Sequence, residues 1–136
     1  MSGGLPRHPL LVAVDAVVVK VPDLDAGLTF YRDSLGHELA WRTDRMAGLR
    51  MAGSETELVL SLDVGPETDL LVASVPDAVR AFTDAGGSVV MEPRDIPVGR
   101  FAIVRDPFGT ELTLVDLSKG RYSTDRSGRV TETGSD

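Results

Sequence analysis

Apolar residues fall in short runs along this chain, and their spacing changes from one run to the next. Leu11 to Val21 is rich in Val with no helical period, so it reads as a strand buried on both faces or nearly so. Leu24, Leu28, Tyr31 and Leu35 then recur at i, i+4, i+7 and i+11, the stripe of a helix that Asp23 is placed to cap and Gly36 to stop. Phe30 and Tyr31 read as core anchors of that helix. Three runs follow, His37 to Thr43, Met46 to Met51 and Glu57 to Asp63, broken by polar turns, and they read as antiparallel strands.

The order then repeats. Asp69 to Ser74 reads as a strand, and Pro76 to Ala85 as a helix with Ala78, Val79, Phe82 and Ala85 inward and Gly86-Gly87 as its stop. Ser88 to Glu92, Arg100 to Arg105 and Thr110 to Leu117 complete three more strands. The last two flank Asp106-Pro107-Phe108-Gly109, where Pro fixes one φ and Gly frees another, a strand–turn–strand signal. Glu92 to Gly99 reads as a Pro-containing connection, a simple crossing before a pocket lid. Val-Pro-Asp stands at 21–23 and again at 75–77, 54 residues on (75 − 21), so the pattern is one unit used twice. The expected organisation is a flexible leader over 1–9, a single domain over 10–118 with modules 10–64 and 67–118, and a polar, disordered tail over 119–136.

Val21-Pro22-Asp23-Leu24-Asp25 with Phe30-Tyr31-Arg32-Asp33-Ser34-Leu35-Gly36, and then Asp106-Pro107-Phe108-Gly109, resemble motifs of the vicinal oxygen chelate superfamily. That superfamily includes glyoxalase I, bleomycin resistance proteins and extradiol dioxygenases. The resemblance implies an α+β fold: two tandem βαβββ modules forming a curved, mostly antiparallel eight-stranded sheet with two main helices. It also implies a homodimer and, in many relatives, a divalent metal held by His and Glu from the first and fourth strands of each half. Such a metal needs at least three donor side chains. On the family pattern the first-strand donors fall at Ala16, five residues before Val21, and at Leu70, five before Val75. The last falls at Thr113, four after Gly109. The remaining one lies in Glu57 to Ser61, whose register the sequence leaves open.

Composition narrows the chemistry further. The chain has 136 residues, 42% of them hydrophobic, enough for one core, and no apolar run approaches the roughly 20 residues a bilayer demands. A cytoplasmic protein is the expectation. Zero Cys removes disulfides, thiolate metal sites and cysteine nucleophiles. Fourteen basic against 21 acidic residues, a net charge of −7, repel nucleic acid; an acidic surface suits a cationic ligand, although acidity that serves solubility is the commoner case. Neither His8 in the leader nor His37 after the helix stop has a second His at metal spacing. Glu57 and Glu111 offer a carboxylate pair, although exposed strand carboxylates are the commoner case. Lys20 shares strand parity with Ala16, and its stem reads as reaching for the sheet edge.

What remains is a concave sheet face with ligand-binding candidates Ala16, Val18, Trp41, Ser61, Leu70, Val72, Phe101 and Thr113, the aromatic pair forming walls. The leading expectation is a metal-free protein, with no catalytic residue and no cofactor, that binds a small organic molecule, cationic or aromatic, in the manner of bleomycin resistance proteins. The alternatives are a metal-dependent lyase, isomerase or dioxygenase with an atypical site, and a structural or regulatory dimer module without a ligand.

Overall fold

In strand β1 (Ala13–Lys20) the side chains sort by parity. Val19 packs with Val21 toward one face, while Ala16 and Val18 join Trp41 and Val59 on the other. That alternation, carried from strand to strand, gives the sheet a helix-covered face and an open one. The computed structural model describes residues 9–120 and 122–133, apart from the side chains of 122, 123 and 131–133. His8 and most of the expected leader lie outside the described residues.

After β1 come α1 (Leu24–Leu28), a π-helical continuation over Thr29–Ser34, and strands β2 (Leu39–Arg42), β3 (Met46–Arg50) and β4 (Glu57–Ser61). The second half supplies β5 (Glu67–Leu71), α2 (Val75–Asp84), β6 (Ser88–Ile96), β7 (Gly99–Arg105) and β8 (Glu111–Asp116). The eight strands form one open sheet in the order β2-β3-β4-β1-β5-β8-β7-β6. Only β1–β4 and β5–β8 are parallel, and an antiparallel β1–β5 ladder joins the halves. The mostly antiparallel α+β architecture expected from sequence is therefore present.

Each half has its own core under its own helix. Leu24 and Leu28 pack on Leu49, Leu58 and Leu60, and Val75, Ala78 and Val79 pack on Val72, Ala102, Val104 and Leu114. Asp23 caps α1 by accepting from the Asp25 amide at 3.0 Å. The later part of that helix departs from the periodic reading. Leu35 N donates to Phe30 O at 3.1 Å, an i→i+5 bond, and the wider turn delays the stripe, leaving Phe30 and Leu35 each 54% exposed. Tyr31 alone of the late stripe stays packed against the core.

The second half corrects the repeat. The α2 cap is Ser74, whose hydroxyl accepts from Asp77 N at 3.3 Å, so Val75-Pro76-Asp77 is the first helical turn and not the segment before it. Structurally Asp23 matches Ser74, an offset of 51 (74 − 23), and the strand ends Lys20 and Leu71 agree (71 − 20). The second Val-Pro-Asp is therefore displaced by three residues from the true equivalent of the first. Ala85 is exposed at the helix end instead of inward.

Two connections also differ from expectation. β6 runs on to Ile96 through Pro93, which an edge strand tolerates because its missing N–H leaves no central ladder broken, and two register shifts absorb the misfit. In the tail, Tyr122–Thr124 (β9) and Val130–Thr133 (β10) pair as a hairpin where disorder was expected. Its turn is built by Asp125, whose Oδ1 accepts from Ser127 N at 2.8 Å and from Arg129 N at 3.1 Å, an Asx-type arrangement that polar composition alone conceals.

Candidate functional site

The open face of the sheet curves around a cavity of about 610 Å³. Its floor is apolar, made by Ala16, Val18 and Val59 from the central strands, with Met46 beside them and Val115 from β8. Trp41 forms a wall. Its indole, 8% exposed, lies over Gly48, where any Cβ would overlap the ring, and its Nε1–H donates to Glu57 Oε1 at 2.8 Å. Gly48 thus makes room for the aromatic and Glu57 fixes its tilt.

Around this floor stand carboxyl groups: Asp15 from β1, Glu55 and Glu57 beside and in β4, and Glu67 and Asp69 from β5. Arg50 also lines the cavity, but its guanidinium is engaged by Glu38 at 2.9 Å. Asp69 is the most perturbed of the group. Burial first, then the adjacent Glu67 carboxyl and the charge of Asp15, push its pKa up to about 8, and its Oδ1 is buried with no hydrogen-bond donor against it. At neutral pH Asp69 is therefore chiefly the neutral acid, next to an acidic neighbour with which it is within hydrogen-bonding reach.

The pairing register places the sequence candidates. Glu57 pairs with Ala16, Ala16 with Asp69 and Asp69 with Thr113, one row across four central strands. Ala16, Val18 and Trp41 line the cavity. Ser61 sits on the same strand face but is fully buried, and its hydroxyl accepts from Asp63 N at 3.0 Å and Val64 N at 3.2 Å, so it holds a turn. Leu70 and Val72 are corrections: both face α2 in the second core, because the displaced Val-Pro-Asp shifted their predicted parity. Phe101 pairs with Val115 and Thr113 with Ile103 on the open-face parity, but neither borders this cavity. Glu111 is held by Arg105 at 2.7 Å at the far strand end, leaving the Glu57–Glu111 pair apart. His37 Nδ1 lies 3.0 Å from Arg50 O, outside the cup.

Sequence reasoning missed Asp15, Glu55, Glu67 and Asp69. The signal was present in β5, where Leu70 and Val72 share one parity and Glu67 and Asp69 the other, so that burying the first pair under a helix forces the acids into the cup.

The corrected offset also relocates the metal positions implied by resemblance. The counterpart of Ala16 is Glu67, not Leu70. Val59 corresponds to Thr113, since Val18 pairs with Val59 as Asp69 pairs with Thr113. Ala16, Val59, Glu67 and Thr113 offer one carboxylate and one hydroxyl, short of the three donors a bound divalent ion requires. Among the described residues no three His, Cys, Asp or Glu side chains are grouped to hold a metal. These residues do not fit the superfamily's metal.

An open eight-stranded sheet built from two βαβββ halves, with a cup on its uncovered face, defines a duplicated cup-shaped α+β protein. The model of the Glyoxalase/Bleomycin resistance protein/Dioxygenase superfamily matches residues 13–114, and the chain belongs to that superfamily. Among solved structures it is similar to a methylmalonyl-CoA epimerase from Mycobacterium tuberculosis, 25% identical over 82% of this chain and 92% of that one, with a TM-score of 0.64. A Streptomyces coelicolor methylmalonyl-CoA epimerase in complex with 2-nitronate-propionyl-CoA is 23% identical over 78% and 94%, TM-score 0.63. The Mn(II)-bound glyoxalase from Novosphingobium aromaticivorans is 20% identical, TM-score 0.57, over 78% of this chain and 38% of that chain. No curated protein matches the sequence. No helix among the described residues is long and apolar enough to cross a membrane.

Proposed function

We propose that this protein binds a small, partly apolar organic cation in its cup without the help of a metal ion. The observation that carries this reading is the composition of the cavity wall: five carboxyl-bearing residues, Asp15, Glu55, Glu57, Glu67 and Asp69, surround an apolar floor beside Trp41. Among the described residues Arg50 is the one basic side chain in that lining, and Asp69 is held neutral, so carboxyl groups are in excess. A concave site of low dielectric with an excess of one sign concentrates the opposite sign, and an indole face adds a cation–π contribution of about 1 kcal/mol or more. The relocated donor positions support capture without a metal, since one carboxylate and one hydroxyl give no chelate.

The test is thermal unfolding with the tricyclic cation proflavine and with an uncharged tricycle of equal size. At 100 times its dissociation constant a ligand stabilises by about 2.7 kcal/mol, so the cation raises the unfolding temperature and the neutral compound does so much less, with the difference shrinking in salt. Equal shifts, or none across a panel of aromatic cations, would refute the reading.

One observation favours a second reading. A carboxyl held protonated near neutrality, Asp69 at about 8, suits proton transfer, and the epimerase of Mycobacterium tuberculosis is a structural relative. The phosphates of an acyl-CoA would, however, meet the same acidic wall, and cation capture accordingly ranks first.

A further inference from the structure

The cup is not walled by the superfamily-matched residues alone. That match ends at residue 114, whereas Thr124 in β9 borders the cavity and Val130 in β10 packs against the cluster of Ala16, Val18, Trp41 and Val59. We propose that the C-terminal hairpin is part of the binding site, closing the β2 side of the cup, with Val130 seating it on the Trp41 cluster and Thr124, which borders the cavity, setting the size of ligand admitted. The proposal rests on the cup being the ligand site, but its structural half is testable without any ligand.

Three features seat the hairpin. Arg42 N donates to Gly128 O at 2.7 Å, Arg42 and Arg129 form a β-bridge, and the Arg129 guanidinium pairs with Asp44 in the turn after β2. Gly128 has φ +87°, which strains any larger residue, and a Cβ there would also lie 2.9 Å from Leu39 Cδ2 and push that side chain aside. The Asp125 turn supplies the rigidity: the Ser127 hydroxyl and the Arg129 and Ser127 amides donate to the Asp125 carboxyl, and the same donors lower its pKa below the usual carboxylate range. A short hairpin is marginal alone in water, and here it is stabilised by docking on β2 and on Trp41's cluster.

Trp41 is the chain's single tryptophan and is 8% exposed, so its fluorescence reports on this wall. In the full-length chain, Gly128→Val unseats the hairpin and raises the acrylamide quenching constant of Trp41 about twofold or more, with the far-ultraviolet spectrum of the domain retained. Arg129→Glu, which faces Asp44 with a like charge, gives the same direction if Gly128→Val does not fold. Thr124→Phe, which narrows the cup, weakens proflavine binding about tenfold while leaving quenching low. Unchanged quenching in Gly128→Val and Arg129→Glu, or parental proflavine affinity in Thr124→Phe, overturns the proposal. A parent chain that fails to bind proflavine would count against cation capture alone, because the quenching result still decides whether the hairpin walls the cup.

Discussion

At the scale of single residues the cup turns on two side chains with opposite demands. Trp41 needs space, which Gly48 leaves, and a fixed partner for its N–H, which Glu57 supplies. Asp69 needs a donor for each carboxyl oxygen, and no protein group donates to its buried Oδ1. Its folded pKa of about 8 stands above the ordinary 3.8. The unfolded chain therefore releases this proton first as pH rises, and stability falls between about pH 4 and pH 8 and is level above. Asp69→Asn keeps the shape of the neutral acid and removes that slope, so at pH 8 the variant is more stable than the parent by about 2 kcal/mol, a figure discounted for partial exposure. Denaturant titrations of both proteins at pH 5 and pH 8 check this; parallel curves with an unchanged gap would contradict it. The same substitution abolishes the gain in affinity for a cation that the parent shows as pH is raised through 8.

At the scale of elements, one carboxylate ties the second half together. Asp116, 2% exposed at the end of β8, accepts from Val75 N at 2.7 Å at the start of α2, from Arg100 N at 3.0 Å in β7, and from the Ser118 hydroxyl at 2.7 Å. Burial would raise its pKa, and these donors together outweigh burial and hold it below the usual range. Its folded pKa being depressed, the stability it gives is present above the unfolded carboxylate pKa and is lost as pH drops through the folded value. Asp116→Ala leaves buried amides without acceptors, and we expect a loss of about 3 kcal/mol in chemical unfolding near neutral pH. A loss below about 1 kcal/mol would mean that α2 is anchored by packing alone.

The elements also mark how far the sequence was legible. The closing hairpin could be read because local chemistry determines it: Asp106 Oδ1 accepts from Phe108 N and Thr110 N, and Gly109 takes φ +98°. The Asp23 cap and the glycine stops at Gly36 and Gly86 were legible on the same grounds, whereas the Ser74 cap of α2 was not. The parity of β5 was not, because a tripeptide repeated by coincidence of composition stood for a structural equivalence that only long-range pairing settles. The tail hairpin was hidden for a related reason, since its stability comes from docking on β2 and not from its own polar residues.

At the scale of the whole molecule, the two halves bury their apolar stripes under separate helices and turn their remaining faces toward one another across the β1–β5 ladder. The fold was readable because strand runs, helix stops and the closing turn agree with it along most of residues 13–114. The site was only half readable, since the acidic wall gathers residues from β1, β4 and β5, each looking like an exposed strand carboxylate until the sheet curves. The central claim is that this wall holds cations itself. Its most direct test is a calorimetric titration of proflavine into protein stripped with EDTA, repeated after saturation with Mn²⁺. One site of equal affinity in both titrations is predicted, whereas binding that appears only once the metal is restored would contradict the account.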